Sequence, residues 1–261
     1  MRASVASGCI AVCLLLGALA QSQPSPNRLI ELFKQHQIPF GLFVADKSEA
    51  GGTALAKDSR IDFAFFDMEH GGLNLPQLTS FLKGLREAHG NQAVLVRIPE
   101  LHNTDRAVAR KAIADLLALN IDGIIFPETQ SKEEAEFGLA QLRASGRGLW
   151  PSDADPRLIA YFMVEDRNGL SALSDIAALP GVAILSGGQS TLTQTFHGDK
   201  QAVEAALQTI LKVAKEHQIA CAKLVSGDEL ESRLSQGFRV ITLNGRSVSD
   251  LLDRGRKAAG R

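Results

Sequence analysis

Eight short apolar runs recur along this chain with amphipathic segments between them, and that alternation constrains the fold more than any other feature. The runs cover residues 40–44, 61–66, 93–98, 121–126, 158–164, 182–185, 220–225 and 239–243. Continuous apolar runs of this length read as strands buried on both faces, the mark of a parallel sheet. The segments between them repeat with helical period: Leu75, Leu78, Phe81, Leu82 and Leu85 mark one face, and Ala202, Ala206, Ile210, Val213 and Ala214 another. Eight strand–helix units within 261 residues predict an α/β fold, a closed (β/α)8 TIM barrel with an extra leading helix over 27–37.

The first residues fall outside that pattern. Arg2 precedes an apolar run from Cys9 to Leu19, and Ala18-Leu19-Ala20 follows the small-residue form of a cleavage site. This predicts a signal peptide over 1–20, a linker over 21–26 and one barrel domain over 27–261, in an exported protein. No later run approaches the roughly 20 apolar residues of a membrane helix. Of three cysteines, Cys9 and Cys13 lie in the leader, leaving Cys221 alone. An intrachain disulfide or a cysteine zinc site in the domain is thereby excluded, and Cys221 reads as a buried strand thiol. A formal charge of −1 argues against a nucleic-acid-binding surface.

A barrel carries its active site where the strands' C-terminal ends meet the following loops. Read in order, those ends supply Asp46; Asp67, Glu69 and His70; Arg97 and Glu100; Glu128; Glu165 and Asp166; Ser186 to Ser190; and Asn244. A lone strand-end acid is more often solvated or a helix cap than catalytic. Arg97 is less ordinary, because it interrupts the apolar alternation of Val94-Leu95-Val96 and needs an anionic partner if buried. Glu100 and Glu128 are its candidate partners. Among the histidines, His36, His89 and His217 read as surface residues, whereas His102 and His197 could reach the rim. "SGGQST" lacks the lysine of a phosphate-binding loop.

The motifs "FDMEHG" at 66–71, "LVRIP" at 95–99, "GIIFP" at 123–127, "FMVED" at 162–166 and "LPGVAILSGG" at 179–188 stand on successive strand ends. In order and spacing they resemble the HpcH/HpaI aldolase and citrate lyase β-subunit family. The resemblance implies a barrel of the phosphoenolpyruvate/pyruvate type and a metal-dependent carbon–carbon lyase. Such an aldolase makes or cleaves a 2-oxo acid through a pyruvate enolate, with an aldehyde as the second partner. It implies acid–base work by His70, orientation of that ring by Asp67, and stabilisation of the enolate oxygen by Arg97. Glu165 would ligate a divalent ion, magnesium or manganese, and Gly187 and Gly188 would receive the pyruvate carboxylate. These roles suit the chemistry, since a cation and an arginine aimed at a keto oxygen stabilise the charge that develops there.

The family's sixth strand is followed by a G-P-x-D-L-S motif whose aspartate is the second metal ligand, and here Gln189 takes that place. An amide oxygen can bind a hard cation but lacks the charge that holds it. Asp153, Asp155 or Asp166 is a candidate substitute. A second reading therefore stands beside the lyase: an exported, non-catalytic barrel that binds a small oxo acid or sugar acid. A carbohydrate hydrolase using Glu128 and Glu165 is a third. The resemblance also implies a homo-oligomer, with residues 247–259 as a candidate interface helix.

Overall fold

The computed structural model describes residues 27–70, 72–245 and 248–261. The expected leader over 1–20 and linker over 21–26 lie outside the described residues, as do Gly71 and Ser247. The strands are β1 (Phe40–Phe43), β2 (Phe63–Asp67), β3 (Ala93–Arg97), β4 (Gly123–Phe126), β5 (Gly148–Leu149), β6 (Pro156–Met163), β7 (Val182–Ser186), β8 (Ala220–Val225) and β9 (Val240–Leu243). The helices are α1 (Arg28–Lys34), α2 (Glu49–Ala56), α3 (Leu75–Glu87), α4 (Arg106–Ala118), α5 (Lys132–Ala144), α6 (Arg167–Ala177), α7 (Gln189–Thr195), α8 (Lys200–Glu216), α9 (Leu230–Gln236) and α10 (Val248–Ala258). None is long and apolar enough to cross a membrane.

All strand pairs are parallel, in the order β4-β3-β2-β1-β9-β8-β7-β6, and β4 pairs with β6 to close an eight-stranded ring. The predicted barrel is therefore the fold. The unforeseen strand β5 has two residues, too few to leave a periodic signal, and pairs with the start of β6 outside the ring.

Strand side chains alternate between two cores. Those facing inward form one cluster that includes Phe63, Phe65, Leu95, Ile125, Ile159, Tyr161, Ile184, Ala222 and Val240. Leu29 and Ile30 join that cluster, so α1 plugs the end of the barrel from which the strands start. Outward-facing Phe66, Val96, Phe126, Phe162, Leu185 and Cys221 pack into a second, larger layer with the helices. Gly41 shows how tightly the interior is filled, because a Cβ there would lie 2.3 Å from the ring of Phe63.

Two side-chain devices fix where the chain turns. Asp105, Asp166 and Asp199 cap α4, α6 and α8 by accepting backbone N–H bonds in the first turn. Asp62, wholly buried just before β2, accepts from the Phe40 N–H and pairs with Arg28, Arg256 and Arg261. Arg261 reaches it with two bonds, of 2.6 and 2.9 Å, tying the C-terminal segment under the barrel.

Candidate active site

The period of two in the strands aims particular residues into the mouth of the barrel. In β2 the inward series Phe63, Phe65 ends at Asp67; in β3, Ala93 and Leu95 lead to Arg97; in β6, Tyr161 and Met163 lead on to Glu165. Above these layers opens a cavity of about 710 Å³. His70, Arg97, Glu128, Glu165, Gly187, Gly188 and Gln189 are among the residues that line it.

Arg97 is the pivot. Its Nε donates to Asp67 Oδ1 at 2.8 Å, and its Nη1 lies 2.7 Å from Glu69 Oε2. The guanidinium also rests over the Phe65 ring, 5.4 Å from its centroid. Its expected anionic partners thus exist but are Asp67 and Glu69, because β2 and β3 pair with Asp67 opposite Arg97. Burial would lower the arginine's pKa, but the hydrogen bond to Asp67 and the charge of Glu69 hold it above its ordinary value. Burial raises Asp67 as well, yet the bond and charge of Arg97 prevail and its carboxyl titrates below the usual range. At Glu69 burial wins and the pKa rises.

His70 stands at the rim with a largely exposed side chain. Its Nδ1 lies 3.4 Å from Asp67 Oδ2, 3.3 Å from Glu69 Oε2 and 3.4 Å from Arg97 Nη2. Two carboxylates and a guanidinium thus meet at one ring nitrogen. The ring's Nε2 makes no hydrogen bond among the described residues. Asp67 thus serves the arginine first and the histidine second.

Glu165, 2% exposed, sits across the mouth. Its Oε2 accepts the Glu128 N–H at 3.1 Å, a bond set up by Glu128's left-handed backbone, φ 41°. Its Oε1 lies over Gly188, where a Cβ would come within 1.6 Å of it. Position 188 is therefore glycine for space. Burial pushes the Glu165 carboxyl up to about 7 against that N–H bond, and the charges of Glu69 and Glu128 add to the rise.

Gln189 begins α7 and is turned in a way the sequence did not foretell. Its Oε1 accepts from Lys223 Nζ at 2.7 Å. Lys223, in β8, points into the strand–helix layer and is 2% exposed. Burial lowers its pKa. The sequence signal was a lysine inside the apolar run "ACAKLV". Sequence reasoning also passed over Tyr161, whose buried hydroxyl donates to Ser186 Oγ at 2.9 Å beneath the cavity.

The other candidates separate from the site. Asp166 is the α6 cap, and Asp153 and Asp155 precede β6 at the opposite end of the barrel, so none is placed to replace the missing aspartate. Asp46 accepts from the Ser48 N–H, while Glu100 accepts from Asn103 and Thr104. His102 and His197 are not among the lining residues. Cys221 is buried, as expected.

A divalent cation can be tested against this donor set. The wall carries Glu128, Glu165, Asp228 and Glu229 against Arg97, so an anionic ligand would need added positive charge. Magnesium is commonly held by one or two carboxylates together with substrate oxygens and water. Glu165 fits that role, whereas the oxygen of Gln189 is already committed to an ammonium group. Asp67, Glu69 and His70 also converge, with ligand atoms within 4.8 Å of one another, but both carboxylates there are engaged by Arg97.

Fold and rim together define an α/β barrel whose acids and arginine gather where this architecture carries its chemistry. The chain belongs to the HpcH/HpaI aldolase/citrate lyase family, whose sequence pattern matches residues 40–248. A hydroxypyruvate/pyruvate aldolase of Paraburkholderia phytofirmans is 28% identical over 247 residues, covering 83% of this chain and 90% of the aldolase. Among solved structures, an HpcH/HpaI aldolase/citrate lyase family protein from Burkholderia cenocepacia superposes with a TM-score of 0.70 at 22% identity, covering 89% of this chain and 97% of its own. The citrate lyase beta subunit of M. tuberculosis, complexed with oxaloacetate and magnesium, gives a TM-score of 0.59 at 20% identity, covering 86% and 98% of the two chains.

Proposed function

We propose that this member of the family is a carbon–carbon lyase, an aldolase that forms or cleaves a small 2-oxo acid through the enolate of pyruvate, with an aldehyde as partner. The observation that carries the reading is the convergence of Arg97, His70 and Glu165 on one cavity at the strand ends. A divalent cation, magnesium or manganese, would be held by Glu165 and would supply Lewis-acid polarisation of the keto oxygen.

The chain's own residues account for the rest. Arg97 is held rigidly by Asp67 and Glu69, so its free N–H groups need no reorganisation to meet the negative charge of an enolate oxygen. His70 carries protons at Nε2 while its Nδ1 is steadied by the two carboxylates. The Phe43, Phe65 and Met163 side chains give the cavity an apolar floor that suits the pyruvate methyl group. Export rests on the 1–20 leader and would appear as a mature protein lacking those residues. A homo-oligomer sharing α10 is part of the same proposal.

The test is exchange of the pyruvate methyl protons into D₂O, followed by NMR with and without Mg²⁺ or Mn²⁺, in the parent, Arg97→Lys and Glu165→Gln. Cation-dependent exchange, lost by about 100-fold or more in both variants, is the expected result. A folded parent that exchanges no protons with any ion refutes the enolate chemistry. That outcome would favour the binding-protein reading, which the engagement of Gln189 by Lys223 also supports.

A further inference from the structure

The pairing of Gln189 with Lys223 decides which end of the amide is held and which is free. An ammonium group has three donors and no acceptor. Around Lys223 Nζ stand Gln189 Oε1 at 2.7 Å, the Leu224 carbonyl oxygen at 3.3 Å and Glu229 Oε1 at 3.9 Å. The first two accept hydrogen bonds, and the third is a carboxylate at ion-pair distance. Were the amide reversed, two donors would face each other at hydrogen-bond distance, so the network fixes the flip. Gln189 is exposed and lines the cavity, and its Nε2 donates to no described residue. Lys223 holds the amide oxygen and does not line the cavity, so the N–H₂ end of this lining residue is the end left free.

We propose that Gln189 is a substrate-positioning donor, its N–H₂ aimed at the carboxylate of the bound oxo acid, and that Lys223 is the positioning residue that holds it so. On this view the strand-end residue contributes no oxygen to a cation, and Glu165 is the protein ligand that remains. The inference rests on the oxo-acid reading above and deepens it, converting one wall of the same cavity from cation binding to anion recognition. It also explains why a charge is buried in the strand–helix layer, where a lysine is otherwise costly. The Glu204–Arg233–Glu229 network beside it supplies the compensating negative charge.

Two affinities separate this role from that of a metal ligand: pyruvate binding by calorimetry in saturating Mg²⁺, and Mn²⁺ binding by the electron-paramagnetic-resonance signal of the free ion. Gln189→Ala, a change at an exposed position, should weaken pyruvate about tenfold or more and leave Mn²⁺ affinity within threefold of the parent. Lys223→Met should reproduce the pyruvate loss, because the amide is then free to turn. Gln189→Ala proteins that lose Mn²⁺ affinity, or that bind pyruvate as the parent does, overturn the proposal. So does a folded Lys223→Met protein with unchanged pyruvate affinity. A parent that binds Mn²⁺ but no pyruvate would instead overturn the oxo-acid reading, and this inference with it.

Discussion

Gly188→Ala is the sharpest perturbation of the site, because it adds one methyl group where Glu165 already lies. The new Cβ would sit 1.6 Å from Glu165 Oε1 and 2.8 Å from its Cδ. Ordinary contact begins near 3.4 Å, so the carboxylate must retreat by roughly 1.8 Å. Glu165 is 2% exposed but lines the cavity, so the carboxylate must move into that space, and the move takes it off its 3.1 Å bond from the Glu128 N–H. Overpacking of this kind costs about 1–3 kcal/mol, and the orphaned N–H a similar amount. A misplacement of about 1 Å can cost two orders of magnitude in rate, so methyl-proton exchange should fall by about 100-fold or more. Gly41→Ala, which collides with the Phe63 ring at the far end of the barrel, provides the comparison: a similar loss of stability with exchange retained below its unfolding temperature. A folded Gly188→Ala protein exchanging within threefold of the parent would show that the Glu165 carboxylate does not act from the position over residue 188.

Further expectations concern the rest of the barrel. Asp62→Ala leaves Arg28, Arg256 and Arg261 without their buried partner and should cost about 3–5 kcal/mol in urea unfolding; a loss under 1 kcal/mol would mean the C-terminal tie contributes little. Burial pushes the Asp122 carboxyl up to about 6, against the Val94 N–H that bonds it. Between about pH 4 and pH 6 the native state then keeps a proton that the unfolded chain releases, so stability falls as pH rises, by about 3 kcal/mol in all. Asp122→Asn should lack that slope, and parallel stability curves for the two proteins would contradict the account. Burial pushes the Cys221 thiol up to about 12, so peptide mapping should find it unalkylated in native protein at pH 8 and modified after unfolding.

The residues divide by what each level of structure decides. Eight apolar runs determined a parallel barrel, because strands buried on both faces leave few other closed arrangements for this length. The same period of two carried Arg97 and Glu165 to the cavity and set Asp67 beside the arginine. Local order could not choose among partners. The sequence offered Glu100 and Glu128 as partners for Arg97, and the β2–β3 register set Asp67 and Glu69 there instead. Nor could it place Lys223 beside Gln189, since they lie 34 residues apart and meet only when β8 closes against β7 and α7. Hydrophobic pattern is a property of neighbours in the chain, and is written in the sequence. The direction of an amide or the partner of a guanidinium depends on neighbours in space, which only the closed barrel supplies.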